Sequence, residues 1–215
     1  MPRDERADAQ RFQERWRSLS ERIAEPGGAA DVGAALLAAH QETHRRYHGL
    51  AHVLFLLNEI DRRAPLIGDR ALLEFAAFFH DAVYAPLAGD NEEQSAAWAR
   101  RELARLGYAG AEAVAALILK TKSHHAGEAS DDEALFLDMD FAILGAPRDT
   151  YAAYADAIRE EYAAVPEDRF RAGRAAFLRG VLAQPRMFRT DLYERELAAT
   201  ARENLLWEIA RLTAP

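Results

Sequence analysis

The residues in this sequence best suited to chemistry are its histidines and a few misplaced carboxylates. His80 and Asp81 follow directly on the apolar run Phe75-Ala76-Ala77-Phe78-Phe79, so an imidazole and a carboxylate sit at the end of a helix whose other residues call for burial. Desolvating that carboxylate is costly unless a cation pairs with it, and imidazole with carboxylate is a good donor set for a divalent metal ion. Upstream, Tyr47-His48-Gly49-Leu50-Ala51-His52 holds two histidines four residues apart, which share a face if that turn is helical. The intervening glutamate of an HExxH metalloprotease motif is missing, which rejects that reading. His40 and His44 continue the spacing and read more simply as structural or solvated histidines. Downstream, Asp138 and Asp140 interrupt an otherwise apolar stretch, Leu135 to Phe141, and need partners there. Thr121-Lys122-Ser123-His124-His125 pairs two histidines after a helix end, where a polar loop is the plainer reading.

Composition narrows the chemistry further. The 215 residues contain no cysteine, which excludes disulfides, zinc ribbons, iron-sulfur clusters and a thiol nucleophile, so any metal rests on His, Asp and Glu. Half of the residues are hydrophobic and 29% are charged, as in a soluble globular protein, and no apolar run is long enough to span a bilayer. The charged start of the chain, Met1 to Arg6, leads into no apolar segment, so the expected location is cytoplasmic. A net charge of -8 argues against general binding to nucleic acid or acidic membranes. Lys120 and Lys122 are the only lysines; nearly all positive charge is on arginine, which suits bidentate phosphate contacts.

The elements that must position these groups read as helices throughout. Apolar spacing predicts helices over 4–23, with Phe12, Trp16, Leu19 and Ile23 on one stripe, and over 31–44, 50–63 and 70–81. Further helices are predicted over 91–106, capped by Asn91, and over 111–122, 134–144, 150–164, 167–182 and 192–212, with loops at 84–90 and 123–131. Two-residue alternation is absent and β-branched residues are sparse, so the fold class is all-α. No repeat or long linker divides the chain.

In that context the order His52, then His80-Asp81, then Asp140 resembles the HD superfamily of metal-dependent phosphohydrolases, whose pattern is a histidine, an adjacent histidine-aspartate pair and a distal aspartate. A longer set is similar, over most of the chain, to one bacterial family of predicted HD-superfamily phosphohydrolases. It comprises Arg45, Tyr47-His48 with His52, Phe79-His80-Asp81 with Tyr84, Asn91-Glu92 with Ser95-Ala96, Thr121 with His124, Leu137-Asp138-Met139-Asp140 with Leu144-Gly145, and Arg159 with Glu161-Tyr162.

The resemblance implies one HD-domain-like helical bundle over residues 1–215, with a metal-site core at about 31–145 and C-terminal helices at 148–213 packed on it. It implies His52, His80, Asp81 and Asp140 as ligands of one or two divalent ions (Mn, Mg, Fe, Ni, Co or Zn). Asp138 falls in the second shell, with its role and that of Asp140 open to exchange, and His124 or His125 serves a second metal that Asp81 would bridge. His48 resembles the histidine that precedes the first metal ligand by four residues in cyclic-nucleotide phosphodiesterases, where it protonates the leaving oxygen. The asparagine that follows it there is replaced here by Gly49. Glu92, ahead of Glu93, is the expected general base. Arg45, Arg159 and Lys122 are expected to meet phosphate, and Tyr84 and Tyr162 to line the cleft or stack on a base.

The expected activity is hydrolysis of a phosphate ester or phosphoanhydride in a small molecule, a nucleotide being the leading class, with oligomerisation left open. The alternatives are a di-iron HD-type oxygenase and a non-catalytic nucleotide-binding module.

Overall fold

The computed structural model describes residues 5–22, 28–124 and 127–214. Among these residues the chain forms ten α-helices and two short 3-10 turns with no strand, the all-α fold that the apolar spacing predicts. His125, Ile23 and Pro26-Gly27 lie outside the described residues. The contacts within the chain group into two units, Met1–Glu128 and Ala129–Pro215. No described helix is long and apolar enough to cross a membrane.

The first unit holds α1 (Glu5–Ser20), α2 (Ala29–His40), α3 (Leu50–Arg62), α4 (Arg70–Phe79), α5 (Asn91–Arg105) and α6 (Ala111–Thr121). Its axis is α4, which touches α1, α3, α5 and α6. Asp69 starts this helix by accepting a hydrogen bond from Leu72 N at 3.0 Å, and every residue from Leu72 to Phe79 is buried. Phe75, Phe78 and Phe79 meet the Trp16 ring edge-on at 6.0, 5.2 and 6.0 Å, an arrangement favoured by the ring quadrupoles. Trp16 cannot drift, because its indole N–H donates to Ala29 O at 2.7 Å. Glu74 is the one charge buried within α4, and it is compensated by Arg22 and by Arg70 at 3.0 Å.

Several helix ends differ from those the sequence suggests. α2 ends at His40 rather than at residue 44, and the chain then turns, with Arg45 N bonded to Glu42 O at 3.0 Å. The four-histidine spacing is therefore not one helical column: His44 and His48 lie in the connection, and only His52 is on α3. α4 ends at Phe79, leaving His80 as its C-cap and Asp81 in the following turn. Asn91 does not cap α5. It is the first helical residue, and its side chain accepts from Ala85 N and donates to Ala85 O, both at 3.0 Å, closing the loop after Asp81.

The second unit holds α7 (Asp131–Phe141), α8 (Arg148–Glu161), α9 (Glu167–Leu182) and α10 (Asp191–Thr213), with a 3-10 turn over Ala142–Gly145. α7 begins three residues before the expected start because Ser130 and Glu133 form a reciprocal capping box. α10 is the common neighbour of α8, α9 and the 3-10 turn. Asn204 on α10 donates to Leu144 O and Ala146 O at 2.8 Å each, so the turn's free carbonyls are satisfied from across the core. Buried Glu208 accepts from the Tyr151 hydroxyl at 2.5 Å and from Arg174 Nε at 2.8 Å.

His40 is a buried titratable side chain in the first unit's core. Its Nε2 donates to Phe78 O at 3.0 Å, and its ring lies 5.8 Å from that of Phe12. Burial first, and the Arg45 charge second, lower its pKa from 6.5 to about 3, against the opposing pull of the Phe78 hydrogen bond and Asp81. The folded state keeps this ring neutral while the unfolded chain takes up a proton, so stability is lost as pH falls from 6.5 towards 3. Urea titrations at pH 7 and pH 5 will show a larger acid loss for the native chain than for His40→Gln, with a ceiling of about 1.4 kcal/mol per pH unit below 6.5.

Candidate metal centre

The end of α4 and the start of α3 bring three ligand-type side chains to one point. His52, the third residue of α3, and His80 are buried, and Asp81 is about one-fifth exposed. His80 Nε2 lies 3.1 Å from His52 Nε2 and 3.0 Å from Asp81 Oδ2, and the third side of the triangle is 3.8 Å. His80 Nδ1 sits 3.2 Å from Ala77 O. A carbonyl can only accept, so Nδ1 carries the proton and the lone pair of Nε2 points at the other two atoms.

Three electron-rich atoms this close repel one another unless a hydrogen or a metal ion sits among them. A proton would serve, and so would a metal ion. The triangle has a circumscribed radius of about 2.0 Å, close to the roughly 2.0–2.2 Å bonds of zinc to imidazole and carboxylate, so the donor set fits a divalent ion. Burial pushes the Asp81 carboxyl up, but positive charge at the triangle outweighs this: a His80 protonated at Nε2, through its charge and its hydrogen bond, then His48 and His52, hold the carboxyl well below the ordinary carboxylate range, and a cation in the place of that proton acts in the same sense. Asp81 is thus ionised and ready to ligate. Among the described residues this is the only group of three or more such side chains able to hold a metal.

The surroundings of the triangle are aromatic and cationic. The His48 ring stacks on Tyr84 at 4.4 Å and lies 6.1 Å from the His52 ring, so the two histidines do neighbour each other although His48 precedes the helix. His44 donates from Nε2 to Tyr84 O at 2.8 Å, with its ring parallel to Tyr84. Gly49, the N-cap of α3, has a reason to lack a side chain: a Cβ there would lie 3.1 Å from His40 O. Ser95 on α5 holds the chain beyond Asp81 by accepting from Val83 N at 3.0 Å.

Other residues expected at the site are engaged elsewhere. Arg45 is buried and donates to Glu42 and to the carbonyls of His48, Asp81 and Ala82, so it braces the backbone and does not present itself to phosphate. Lys122 pairs with Glu93 at 2.5 Å and donates to Gly89 O at 2.7 Å, tying the end of α6 to the start of α5. Glu92 lies in the first turn of α5, 3.9 Å from Lys122 Nζ, as a helix-dipole partner. His124 has a left-handed φ of 31° in the turn after α6 and does not join the three-donor group.

The remaining expected residues belong to the second unit. Asp140 is half-buried near the end of α7. Asp138, expected beside the metal, is buried and fully used: it accepts from Arg189 N at 2.7 Å, Thr190 N at 2.7 Å and Thr190 Oγ1 at 2.6 Å. It orders the start of α10, where Thr190 is the N-cap. Burial raises its carboxyl pKa, opposed by those hydrogen bonds. Arg159 donates to Glu167, Tyr162 O and Val165 O, so it staples the α8–α9 turn; Tyr162 packs near Phe170. These interactions of Asp138 and Arg159 are structural. Sequence reasoning placed Arg45, Asn91 and Ser95 in the resemblance but missed their bracing roles; hydrogen-bonding side chains flanking a turn were the only signal.

No family model matches the sequence, and no curated protein or solved structure matches it either.

Two measurements separate the carboxylates. His80→Ala and Asp81→Ala will each lower the metal bound per chain on elemental analysis after reconstitution, and an unchanged stoichiometry would show that the triangle is not the site. Asp138→Ala strands three donors and will cost about 2–4 kcal/mol in chemical denaturation, because buried donors lose their charged acceptor.

Proposed function

We propose that this protein is a metal-dependent phosphohydrolase of the HD type, acting on a small phosphorylated molecule such as a nucleotide. The observation that carries the reading is the buried triangle of His52, His80 and Asp81, with a bond-length fit to a divalent ion. Its three residues fall in the sequence order that resembles the HD superfamily. That order adds Asp140 as the distal carboxylate.

When bound, a divalent ion at this centre supplies an activated water near neutral pH and a Lewis acid for a phosphoryl oxygen. The chain's own residues do the rest. His80 and His52 present neutral imidazole nitrogens and Asp81 a full negative charge. The phenylalanines of α4 exclude water behind them, which strengthens every charge interaction at the centre. His48, whose ring stacks on Tyr84, would pass a proton to the leaving oxygen in this reading. Arg45 is committed to Glu42 and to backbone carbonyls, so it braces the centre and is not the phosphate contact of this reading.

One observation favours a second reading. Two imidazoles and one carboxylate also suit an Fe(II) centre that activates oxygen. Iron content with oxygen consumption tests it.

A reconstituted screen over nucleoside mono-, di- and triphosphates, alarmones, cyclic nucleotides and sugar phosphates tests the main reading. Turnover is expected with metal and should vanish with chelator; phosphate release that ignores both sinks the proposal. His48→Ala is expected to retain its metal and lose roughly 100-fold or more in turnover, the scale of a lost general acid. Loss of metal instead would make His48 a ligand.

A further inference from the structure

Arg45 carries a permanent charge, yet its side chain is only 1% exposed. A buried guanidinium is costly and persists where its donors are satisfied. Nε donates to Glu42 at 3.0 Å, Nη1 to His48 O at 2.9 Å and to Asp81 O at 2.6 Å, and Nη2 to Ala82 O at 3.1 Å. The three carbonyls lie on the two segments that frame the metal triangle: the connection carrying His48, and the turn after α4 carrying Asp81. Carbonyls just past a helix end lack intrahelical partners, and a cation there also opposes the helix dipole.

We propose that Arg45 is the positioning residue of the metal centre: its guanidinium clips the His48 connection to the Asp81 turn and so sets the Asp81 carboxylate against His52 and His80. The inference rests on the metal-centre reading. Its geometric basis is short. The Asp81 carbonyl that Arg45 holds and the Oδ2 that faces His80 belong to one residue, so rotation of that peptide swings the carboxylate out of the triangle. The planar fork matters as much as the charge. A lysine ammonium at the same place has no fixed second arm with which to hold the two segments together.

The test uses the full chain loaded with Co(II), read by chelator competition and by its visible absorption, which reports coordination geometry. Arg45→Ala is expected to weaken Co(II) binding by about 10–100-fold, the usual effect of removing a group that orients a ligand, and to change the visible spectrum. Added guanidinium ion at low, non-denaturing concentration should restore both. Arg45→Lys keeps the charge and is expected to recover only part of the affinity; if the alanine variant does not fold, this variant decides alone. A purely structural role would lower the melting temperature while the folded variants bind Co(II) with native affinity and spectrum, and that result overturns the proposal. A native chain that binds no Co(II) overturns the metal centre and this inference together, whereas native binding with unaffected variants overturns the role of Arg45 only.

Discussion

The convergence of three ligand-type atoms where α4 ends against the start of α3 is the constraint on which the metal centre depends. His80 spends its only proton on Ala77 O, so its other nitrogen faces Asp81 and His52 as an acceptor among acceptors. Such a cluster needs a shared proton or a metal ion among its atoms, and it is held because α4 is packed too tightly to turn away. The rings of Trp16, Phe75, Phe78 and Phe79 fix the phase of the helix, and His80 inherits its direction from them. The apolar core and the polar site are thus one structure, with the stiffness of the first supplying the geometry of the second.

Buried carboxylates in this protein show how differently the same cost can be met. Glu74 is compensated by arginines, Glu208 by Arg174 and a tyrosine hydroxyl, and Asp138 by two backbone amides and a threonine. Each has donors enough to need no metal. Asp81 has instead two imidazoles, whose nitrogens are themselves ligands. Burial of an acid alone therefore says little about metal binding; the kind of partner that meets it decides the matter. The arginines tell the same story from the other side. Arg45, Arg159 and Arg174 each bond to fixed backbone or carboxylate acceptors, so an arginine-rich composition leaves fewer cations for substrate than a count suggests.

Much of the helical order was legible because an apolar period of 3.6 is a local property, and the signals that end helices are local too. The approach of His52 to His80-Asp81 was legible as well, since histidine and carboxylate interrupting apolar runs demand a common explanation. Helix limits were less so: α2 stops at His40 because the connection must fold back to place Arg45, and α7 starts early because Ser130 and Glu133 cap each other. The first cause is long-range, the second a short motif that the polar run concealed.

By itself, then, the sequence determined that the chain is all-α, that it has no cysteine chemistry and that His52, His80 and Asp81, together with Asp140, are the groups to watch, because residue type and local period carry that information. Only the tertiary structure decided how individual polar side chains are employed. Asp138 and Arg159 looked like site residues and are braces; Arg45 looked like a phosphate ligand and holds three carbonyls. The reason is that a donor or acceptor is defined by what faces it: the partners of Asp138 and the Asp81 and Ala82 carbonyls that Arg45 holds lie 36 to 52 residues away, and those of Arg159, though within eight residues, face it only because the chain turns between α8 and α9.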